Sequence, residues 1–271
     1  MIIAVVLGAL FQLGVFNAST LAPRAPPGAC QVFRPNGPLS ASFINTEGVC
    51  NGELPQYVAN FNGGSSTAIT IGAPASPSAT AMTVSAWVSP AAYLGGRMKI
   101  VGNNCCGGNN DFYLDAYGNG AGSAEFYVAD SGWINTDSPP SLFSTNAWIF
   151  VTGRYNGSYI SVWINGVQEN SRATSGSLPL PIGGIGIGGA NGDSPFTGSI
   201  ANVQMYNASL SENEIQALYQ EGIGGAPITL QSLVAWWPLN GNANDYSGNN
   251  NNGAPSGVTY TSQWTNGYVP P

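Results

Sequence analysis

The 271-residue sequence contains no histidine and very few basic side chains. Without histidine, the chain can form no Ser-His-Asp or Cys-His catalytic group, no histidine metal site and no histidine pH switch. Lysine and arginine together number 6, against 13 aspartates and glutamates, which gives a formal net charge of −7 at pH 7. Because nucleic-acid binding needs clustered basic side chains that neutralise phosphates, we predict no nucleic-acid partner.

Charged residues of both signs make up only 7% of the chain, whereas glycine and proline are frequent, at 37 and 19 residues. Frequent glycine and proline beside 11% aromatic residues favour many short strands and turns over long helices. A surface with so few charges must be hydrated by asparagine, serine, threonine and glycine, which is typical of extracellular proteins. We therefore predict a mainly β protein outside the cell.

Residues 1–16 form an apolar run in which Gln12 is the only strongly polar side chain. A helix of this length spans about 24 Å, less than the ~30 Å hydrocarbon layer of a membrane. The run also lacks the basic start and the cleavage site of a signal peptide. A trimmed signal or a membrane anchor is one interpretation of this segment. Residues 17–29 are rich in proline and predict an extended linker.

The sequence IIAVVLGALFQLGVFN within this region resembles the distal part of the N-terminal helix of archaeal type IV pilin-like proteins. In that family the helix lies in the membrane first and later packs in the core of a filament. The resemblance implies that residues 1–16 contact the membrane or bind copies of the same chain, because an apolar helix surface cannot remain in water. It places the protein on the cell surface or in a surface filament.

Four cysteines on an exported chain suggest disulfides. We favour a bridge between Cys30 and Cys50, because it would close a segment without strong periodicity. The adjacent Cys105 and Cys106 could form a second pair, cross-link elsewhere or stay reduced. Four cysteines allow three pairings, and the sequence does not choose between them.

From Tyr57 onwards, short segments with strand patterns alternate with turn residues. In residues 82–88 four apolar side chains fall on one face and Trp87 on the other. Asn165-Gly166, between two such segments, predicts a type I′ hairpin. The succession predicts an antiparallel sandwich. The predicted strands are 57–61, 68–72, 82–88, 99–101, 111–117, 124–129, 147–155, 159–164, 167–169, 185–188 and 200–206.

One short helix is predicted over residues 210–219. Ser211 is its expected N-cap, and Glu214 three residues later completes a capping box. Glu212 and Glu214 then stabilise the positive end of the helix dipole, so we interpret both as structural and not catalytic.

Several segments in order resemble the laminin-G-like family of the concanavalin A-like jelly-roll superfamily. The matching pieces are Tyr57–Phe61 with Asn62-Gly63, TVSAWV at 83–88, NAW at 146–148 with RYNGS at 154–158, VWING at 162–166, IGIG at 185–188, FTGSI at 196–200, VQMYN at 203–207 and 210–219. The resemblance implies a jelly-roll sandwich over residues 30–271.

A further piece, LVAWWPLNGNANDYSGNNNNG at 233–253, usually opens the domain in this family but comes last here. It could begin a truncated second repeat, or the domain could be circularly permuted, so that a C-terminal strand at 232–240 completes the same sandwich. We favour permutation, because a lone strand could not bury itself and a missing strand would leave an open sheet edge.

Jelly rolls bind ligands on a sheet face or on loops, which favours a non-enzymatic surface protein that adheres through glycans. Aromatic rings would stack on sugars, and amides would bind their hydroxyl groups. The alternative interpretation of Tyr113 and Tyr127 is that they are core or cross-strand aromatics with a packing role. The candidate contacts are Tyr113, Tyr117, Tyr127 and Trp133, with Asn103, Asn104, Asn109, Asn110 and Asn135 in the intervening loops.

Two other functions are weighed against adhesion. A polysaccharide hydrolase needs two closely placed carboxylates, but Asp111 and Asp115, four apart on a predicted strand, would lie ~13 Å apart. The Glu-x-Asp-x-x-Glu pattern of the superfamily's glucanases does not occur, so we predict that the protein is not an enzyme. A purely structural filament subunit would share the same fold and lack the ligand.

No cofactor is required by the sequence, but the resemblance implies one candidate, Ca²⁺, which laminin-G-like domains hold by loop oxygens. Its implied ligands are Asp245, with Asn202 and Asn240 in place of a second acid. Three Asn-x-Ser sequons, at Asn17, Asn156 and Asn207, are candidate glycosylation sites.

Overall fold

The computed structural model describes residues 54–72, 80–103, 111–117, 122–129, 133–174, 184–189 and 194–271, with only the backbone of Tyr117 and Trp133. The predicted apolar helix at 1–16, the linker at 17–29, all four cysteines and the sequon at Asn17 lie outside these ranges. Within them, no helix is long and apolar enough to cross a membrane.

Nearly all regular structure in the described residues is β. In chain order the strands are β1 (Val58–Asn62), β2 (Ala68–Ile71), β3 (Met82–Pro90), β4 (Arg97–Asn103), β5 (Phe112–Tyr117), β6 (Ser123–Ala129), β7 (Trp133–Asp137), β8 (Ile149–Tyr155), β9 (Tyr159–Ile164), β10 (Val167–Ala173), β11 (Ile185–Ile187), β12 (Thr197–Tyr206), β13 (Leu233–Trp237), β14 (Ala254–Ser256) and β15 (Thr259–Thr261). The helices are α1 (Glu212–Gln220) and a 3-10 turn at Leu230–Ser232.

These strands form two antiparallel sheets that pack face to face. In the described part of the chain the larger sheet has the order β10-β9-β8-β3-β12-β1-β15, with β13 also paired to β12. The smaller sheet has the order β14-β2-β11-β4-β5-β6-β7. The predicted mainly β, jelly-roll sandwich is therefore confirmed.

Alternating side chains of both sheets meet in one apolar core. Val84 and Val88 of β3 lie in this core, whereas Trp87 lies in a second cluster on the opposite side of the larger sheet. Gly153 of β8 allows the two sheets to approach closely, since a Cβ there would lie 2.2 Å from the ring of Phe126 on β6. The predicted alternation over residues 82–88 is thus observed.

β1, near the beginning of the described chain, and β13, near its end, both pair with the same side of β12 in the larger sheet. β1 pairs with the first half of β12, from Thr197 to Ile200, and β13 pairs with its second half, from Val203 to Tyr206. Since β3 occupies the other side of β12, β1 and β13 lie end to end. The C-terminal strand β13 is therefore hydrogen-bonded into the same sheet as β1.

The outer side of the larger sheet is covered by α1 and the C-terminal segment. Trp87 stacks on Tyr219 of α1 with ring centroids 5.7 Å apart, and it meets Tyr268 edge to face at 5.5 Å. Trp148 and Trp163 are also buried in this cluster. This second cluster buries the aromatic side chains that a two-layer sandwich would otherwise expose.

The predicted helix and its cap are observed, with the helix at Glu212–Gln220. The backbone N–H of Ser211 donates to the Glu214 carboxylate at 2.7 Å, and the Ser211 hydroxyl accepts from the Glu214 backbone N–H at 3.3 Å. Ile215 and Leu218 are its buried residues. Glu214 and Glu212 thus lie in the first turn, and Glu214 has the structural role expected from the sequence.

Candidate ligand-binding face

The smaller sheet has one apolar side and one polar side, and the polar side is the candidate site. Leu114 of β5 and Phe126 of β6 point into the apolar core. Successive side chains of a strand alternate between the two sides of a sheet, so the residues before and after each of these two project from the opposite side. We call this side the polar face. Its members on β4 to β7 are Arg97, Lys99, Tyr113, Asp115, Glu125, Tyr127, Asn135 and Asp137.

One row of the polar face joins two tyrosines and an amide. Tyr113 is opposite Tyr127, and Tyr127 is opposite Asn135 on the next strand. The two rings are tilted by 31° with centroids 5.4 Å apart. The Tyr113 hydroxyl donates to the carboxylate of Asp111 at 3.2 Å. Burial, followed by the negative charge of Asp111, raises the pKa of Tyr113 well above its usual value, so this hydroxyl keeps its proton at physiological pH.

The adjacent row carries charge. Asp115 of β5, Glu125 of β6 and Asp137 of β7 are direct cross-strand neighbours, and Lys99 of β4 is opposite Asp115. Like charges that face each other across a sheet are destabilising unless a cation lies between them. Arg97 supplies that cation.

Arg97 binds Glu125 with two of its guanidinium nitrogens. Its Nε and Nη2 donate to the two carboxylate oxygens of Glu125 at 2.5 and 2.7 Å, and Nε lies 4.0 Å from an oxygen of Asp115. This bidentate pair has the planar geometry in which arginine recognises a carboxylate. At the far end of the row, burial and then the charge of Glu125 raise the pKa of Asp137.

The single lysine of the chain supports Tyr113 from within the sheet. Lys99 is only 2% exposed, and its Nζ lies 4.4 Å from the centre of the Tyr113 ring. The same Nζ donates to the backbone carbonyl of Asn103 at 3.0 Å. The cation and the aromatic ring attract each other electrostatically, which holds the ring in place.

The polar face continues onto the edge of the larger sheet. Asn170 of β10 donates its side-chain amide to the backbone carbonyl of Asp137 at 2.9 Å. Arg172, also on β10, donates to the backbone and side-chain oxygens of Asn135, both at 3.4 Å. The Asn135 amide in turn donates to the Asp137 carboxylate at 3.1 Å. Exposed and partly exposed polar groups of two sheet edges thus form one surface.

The structure brings together some of the predicted contact residues. Tyr113 and Asn135 are on the polar face, joined through Tyr127, and the predicted cross-strand packing of the two tyrosines is observed. Tyr117 and Trp133 belong to β5 and β7, where their backbones pair with Ser123 and Ala129, and their side chains are outside the description. Trp133 is the first residue of β7.

Sequence reasoning missed the charged row of the polar face. Lys99, Asp115, Glu125 and Asp137 come from four strands, and only the register brings them side by side. The alternation of polar with apolar residues in residues 123–129 signals an outward-facing Glu125, but the sequence does not show which residues oppose it.

The implied calcium ligands do not share a site with free oxygens. The two carboxylate oxygens of Asp245 accept hydrogen bonds from the backbone N–H groups of Trp236, Ser247 and Asn251 and from the Ser247 hydroxyl. Four donors around the carboxylate do not fit a bound cation, which needs those lone pairs. Among the described residues, no group of three or more aspartates, glutamates, cysteines or histidines could hold a metal ion.

The two implied amide ligands are also used within the fold. The Asn202 oxygen accepts from Trp236 Nε1 at 2.8 Å and from Gln204 at 3.0 Å. The Asn240 oxygen accepts from the backbone N–H of Tyr57 at 2.8 Å, next to the point where β13 and β1 meet. The calcium assignment stays a prediction that this geometry does not support.

Two of the three sequons are on described residues. Asn156 is exposed in the turn between β8 and β9, where its side-chain oxygen accepts from the backbone N–H groups of Ser158 and Tyr159. Asn207 is half-buried after β12. Their glycosylation remains a prediction.

Comparison with known proteins identifies relatives of the fold. Residues 62–216 match the Laminin_G_3 family profile, described as concanavalin A-like lectin/glucanases superfamily. A protein of Bacteroides ovatus ATCC 8483, proposed to bind carbohydrate, has a similar structure with a TM-score of 0.56 and 18% identity, over 78% of this chain and 61% of that one. No curated protein matches the sequence.

A second similar structure is the heptameric SAP-like pentraxin of Limulus polyphemus. It aligns with a TM-score of 0.53 and 14% identity, over 75% of this chain and 94% of the pentraxin. At these identities the two likenesses show the fold alone.

Proposed function

The chain belongs to the concanavalin A-like lectin/glucanases superfamily, and we propose that its sandwich is a non-enzymatic module that binds carbohydrate for adhesion outside the cell. The observation that carries the proposal is the polar face of the smaller sheet. It combines an aromatic ring with amide, carboxylate and guanidinium groups on adjacent strands.

These groups match the chemistry of a sugar. The C–H face of a pyranose ring is apolar and packs on an aromatic ring, and its hydroxyls need both donors and acceptors. Tyr113 is half-buried and fixed by Lys99 and Asp111, so it offers a rigid ring. Asn135 and Asp137 are also partly exposed and offer an amide and a carboxylate beside it. A preformed site of this kind loses little entropy on binding.

The same face argues for binding over hydrolysis. Glycoside hydrolysis needs two carboxyl groups that reach the scissile bond. Asp115 and Glu125 are neighbours on adjacent strands, but they are only 3% and 2% exposed, and Arg97 engages both oxygens of Glu125. The B. ovatus protein, proposed to bind carbohydrate, is consistent with this function.

A glycan array with the full chain tests the proposal. We expect retention of at least one glycan, and Tyr113→Ala should weaken it about tenfold or more, as loss of a stacking ring does. Tyr159→Ala is the matched control, because Tyr159 is 50% exposed and lies at the start of β9 in the other sheet. Tyr113→Phe keeps the ring and should retain most of the binding.

Two results would contradict the proposal. If no glycan is retained, the purely structural role of a filament subunit is favoured. If a retained polysaccharide is cleaved by the wild-type chain, the protein is an enzyme after all.

A further inference from the structure

The charge balance of the polar face points to the class of sugar that it accepts. Among the described residues on and beside this face, the carboxylates are Asp111, Asp115, Glu125 and Asp137, and the cations are Arg97, Lys99 and Arg172. Carboxylates therefore outnumber cations by four to three, on a chain whose net charge is −7. An anionic ligand would be repelled by this surface unless a cation were available to bind it directly.

Each of the three cations already has an intramolecular role. Two guanidinium nitrogens of Arg97 form a bidentate pair with Glu125. Lys99 is buried, and its ammonium group binds the carbonyl of Asn103 and the ring of Tyr113. Arg172 donates to both oxygens of Asn135.

Recognition of a uronate, sulfate or sialic acid usually depends on an arginine fork that can face the anion. On the polar face, the Nε and Nη2 groups of Arg97, which could bind an anion in this way, instead donate to Glu125. The Arg97 side chain is 48% exposed, but the Glu125 carboxylate that it binds is only 2% exposed. To bind an anionic sugar with the same two nitrogens, Arg97 would have to leave this buried carboxylate without its cation, which is unfavourable.

We propose that the polar face selects neutral saccharides and rejects anionic ones, with the Arg97–Glu125 pair as the specificity-determining element. The inference rests on the proposed carbohydrate binding. The partly exposed Asn135 and Asp137 bind hydroxyl groups, and Tyr113 packs on the sugar ring. Since no net charge is transferred from water to the site, the affinity depends little on salt.

The test uses polygalacturonate and the same polymer after full methyl esterification, together with an array of neutral, uronate, sulfated and sialylated glycans, all with the full chain. We expect every retained glycan to be neutral, and its affinity to change less than about twofold between roughly 50 and 500 mM NaCl. In any matched pair, the acidic form should bind at least about tenfold more weakly.

A gain of function provides the second arm. Glu125→Gln removes the anionic partner of Arg97, so binding of the acidic glycans should increase about two- to fivefold. Glu212→Gln changes the net charge equally but lies exposed on α1, and it should leave the preference unchanged. The salt series on the wild-type chain tests the inference even if Glu125→Gln fails to fold.

The outcomes separate the two proposals. Tighter, salt-sensitive binding of the acidic forms would overturn the neutral preference and leave carbohydrate binding intact. Lack of binding to every glycan, neutral or acidic, would overturn carbohydrate binding and the preference with it.

Discussion

Trp264 of the C-terminal segment lies perpendicular to Trp148, the residue before β8, with ring centroids 5.8 Å apart. The indole N–H of Trp148 donates to the backbone carbonyl of Trp264 at 2.9 Å. The indole N–H of Trp264 donates to the carbonyl of Pro55, just before β1, at 3.0 Å. One side chain thus links the end of the chain to both the start and the middle of the sandwich.

Replacement of Trp264 by alanine is therefore expected to destabilise the whole domain. The side chain is 5% exposed, and removal of a buried tryptophan costs about 3–5 kcal/mol. The measurement is the free energy of unfolding in urea. Val269→Ala is the matched control, since Val269 is in the same segment but 77% exposed, and its effect should stay within about 0.5 kcal/mol. Similar values for the two variants would show that the C-terminal segment is dispensable.

Asp245→Asn should destabilise the loop after β13. The carboxylate accepts from four donors, and an amide in its place has only one acceptor oxygen, so at least one donor loses its partner. We expect a loss of about 1–3 kcal/mol, measured by thermal unfolding. Asn244→Ala, at an exposed neighbouring position, is the control.

Thermal unfolding of the wild-type chain with and without calcium distinguishes a hydrogen-bonding role of Asp245 from a calcium-binding one. Because donors surround the carboxylate, we expect the melting temperature of the wild-type chain to be equal in EDTA and in millimolar CaCl₂. A rise in calcium that disappears in Asp245→Asn would establish a calcium site at this loop.

Glu214 should stabilise the fold at neutral pH and lose this effect in acid. Hydrogen bonds from the Ser211 side chain and backbone lower the pKa of the Glu214 carboxyl below its usual value. The stabilisation is therefore complete above the pKa of the unfolded chain, about 4.3, and is lost as the pH falls through the lower pKa of the folded state. Glu214→Gln should cost about 0.5–1 kcal/mol at pH 7.

The measurement is urea unfolding of the wild-type chain and Glu214→Gln between pH 7 and about pH 3. The cost of the substitution should shrink as the pH falls. Glu212→Gln, outside the capping box, is the control. A cost that is independent of pH would mean that the carboxylate charge does not contribute to the cap.

The contribution of Asp137 to stability should depend on pH in the opposite direction to that of Glu214. Burial and the charge of Glu125 raise its pKa, so the folded state binds a proton more readily than the unfolded chain does. Stability then falls as the pH rises from the pKa of the unfolded chain, about 3.9, through the higher pKa of the folded state. Asp137→Asn should remove this penalty and stabilise the protein at pH 7, and the gain should vanish in acid.

Unfolding curves of Asp137→Asn and the wild-type chain at pH 7 and about pH 3 provide the check. If the substitution destabilises the protein at pH 7, the hydrogen bond from Asn135 to this carboxylate outweighs the repulsion by Glu125.

Local patterns in the sequence were sufficient to predict the elements whose signals are themselves local. The Ser211–Glu214 capping box defined the start of α1, and the alternation of residues 82–88 separated the core side of β3 from Trp87. The strands β7, β14 and β15 were missed. β14 and β15 are short and partly or fully exposed, so they lack the apolar alternation that marks a strand.

The candidate site was predictable only in part, because its members meet through register. Tyr113 and Asn135 were identified by residue type, but Glu125 and Asp137 become neighbours of Asp115 only once three strands are aligned. The pairing of β4 with β5 contains an irregularity between Lys99 and Val101, directly after the position where Lys99 is opposite Asp115. No single-sequence pattern gives the position of such a bulge.

The pairing of β1 and β13 with the same side of β12 has a consequence for biosynthesis. A nascent chain leaves the ribosome from its N-terminus, and β12 remains half-paired on that side until residues 233–237 emerge. Co-translational folding of the sandwich cannot be completed before then, and until that point the open edge of β12 can pair with other chains. A translational pause that holds residues 233–237 inside the ribosome should therefore promote aggregation, whereas a pause after these residues have emerged should not.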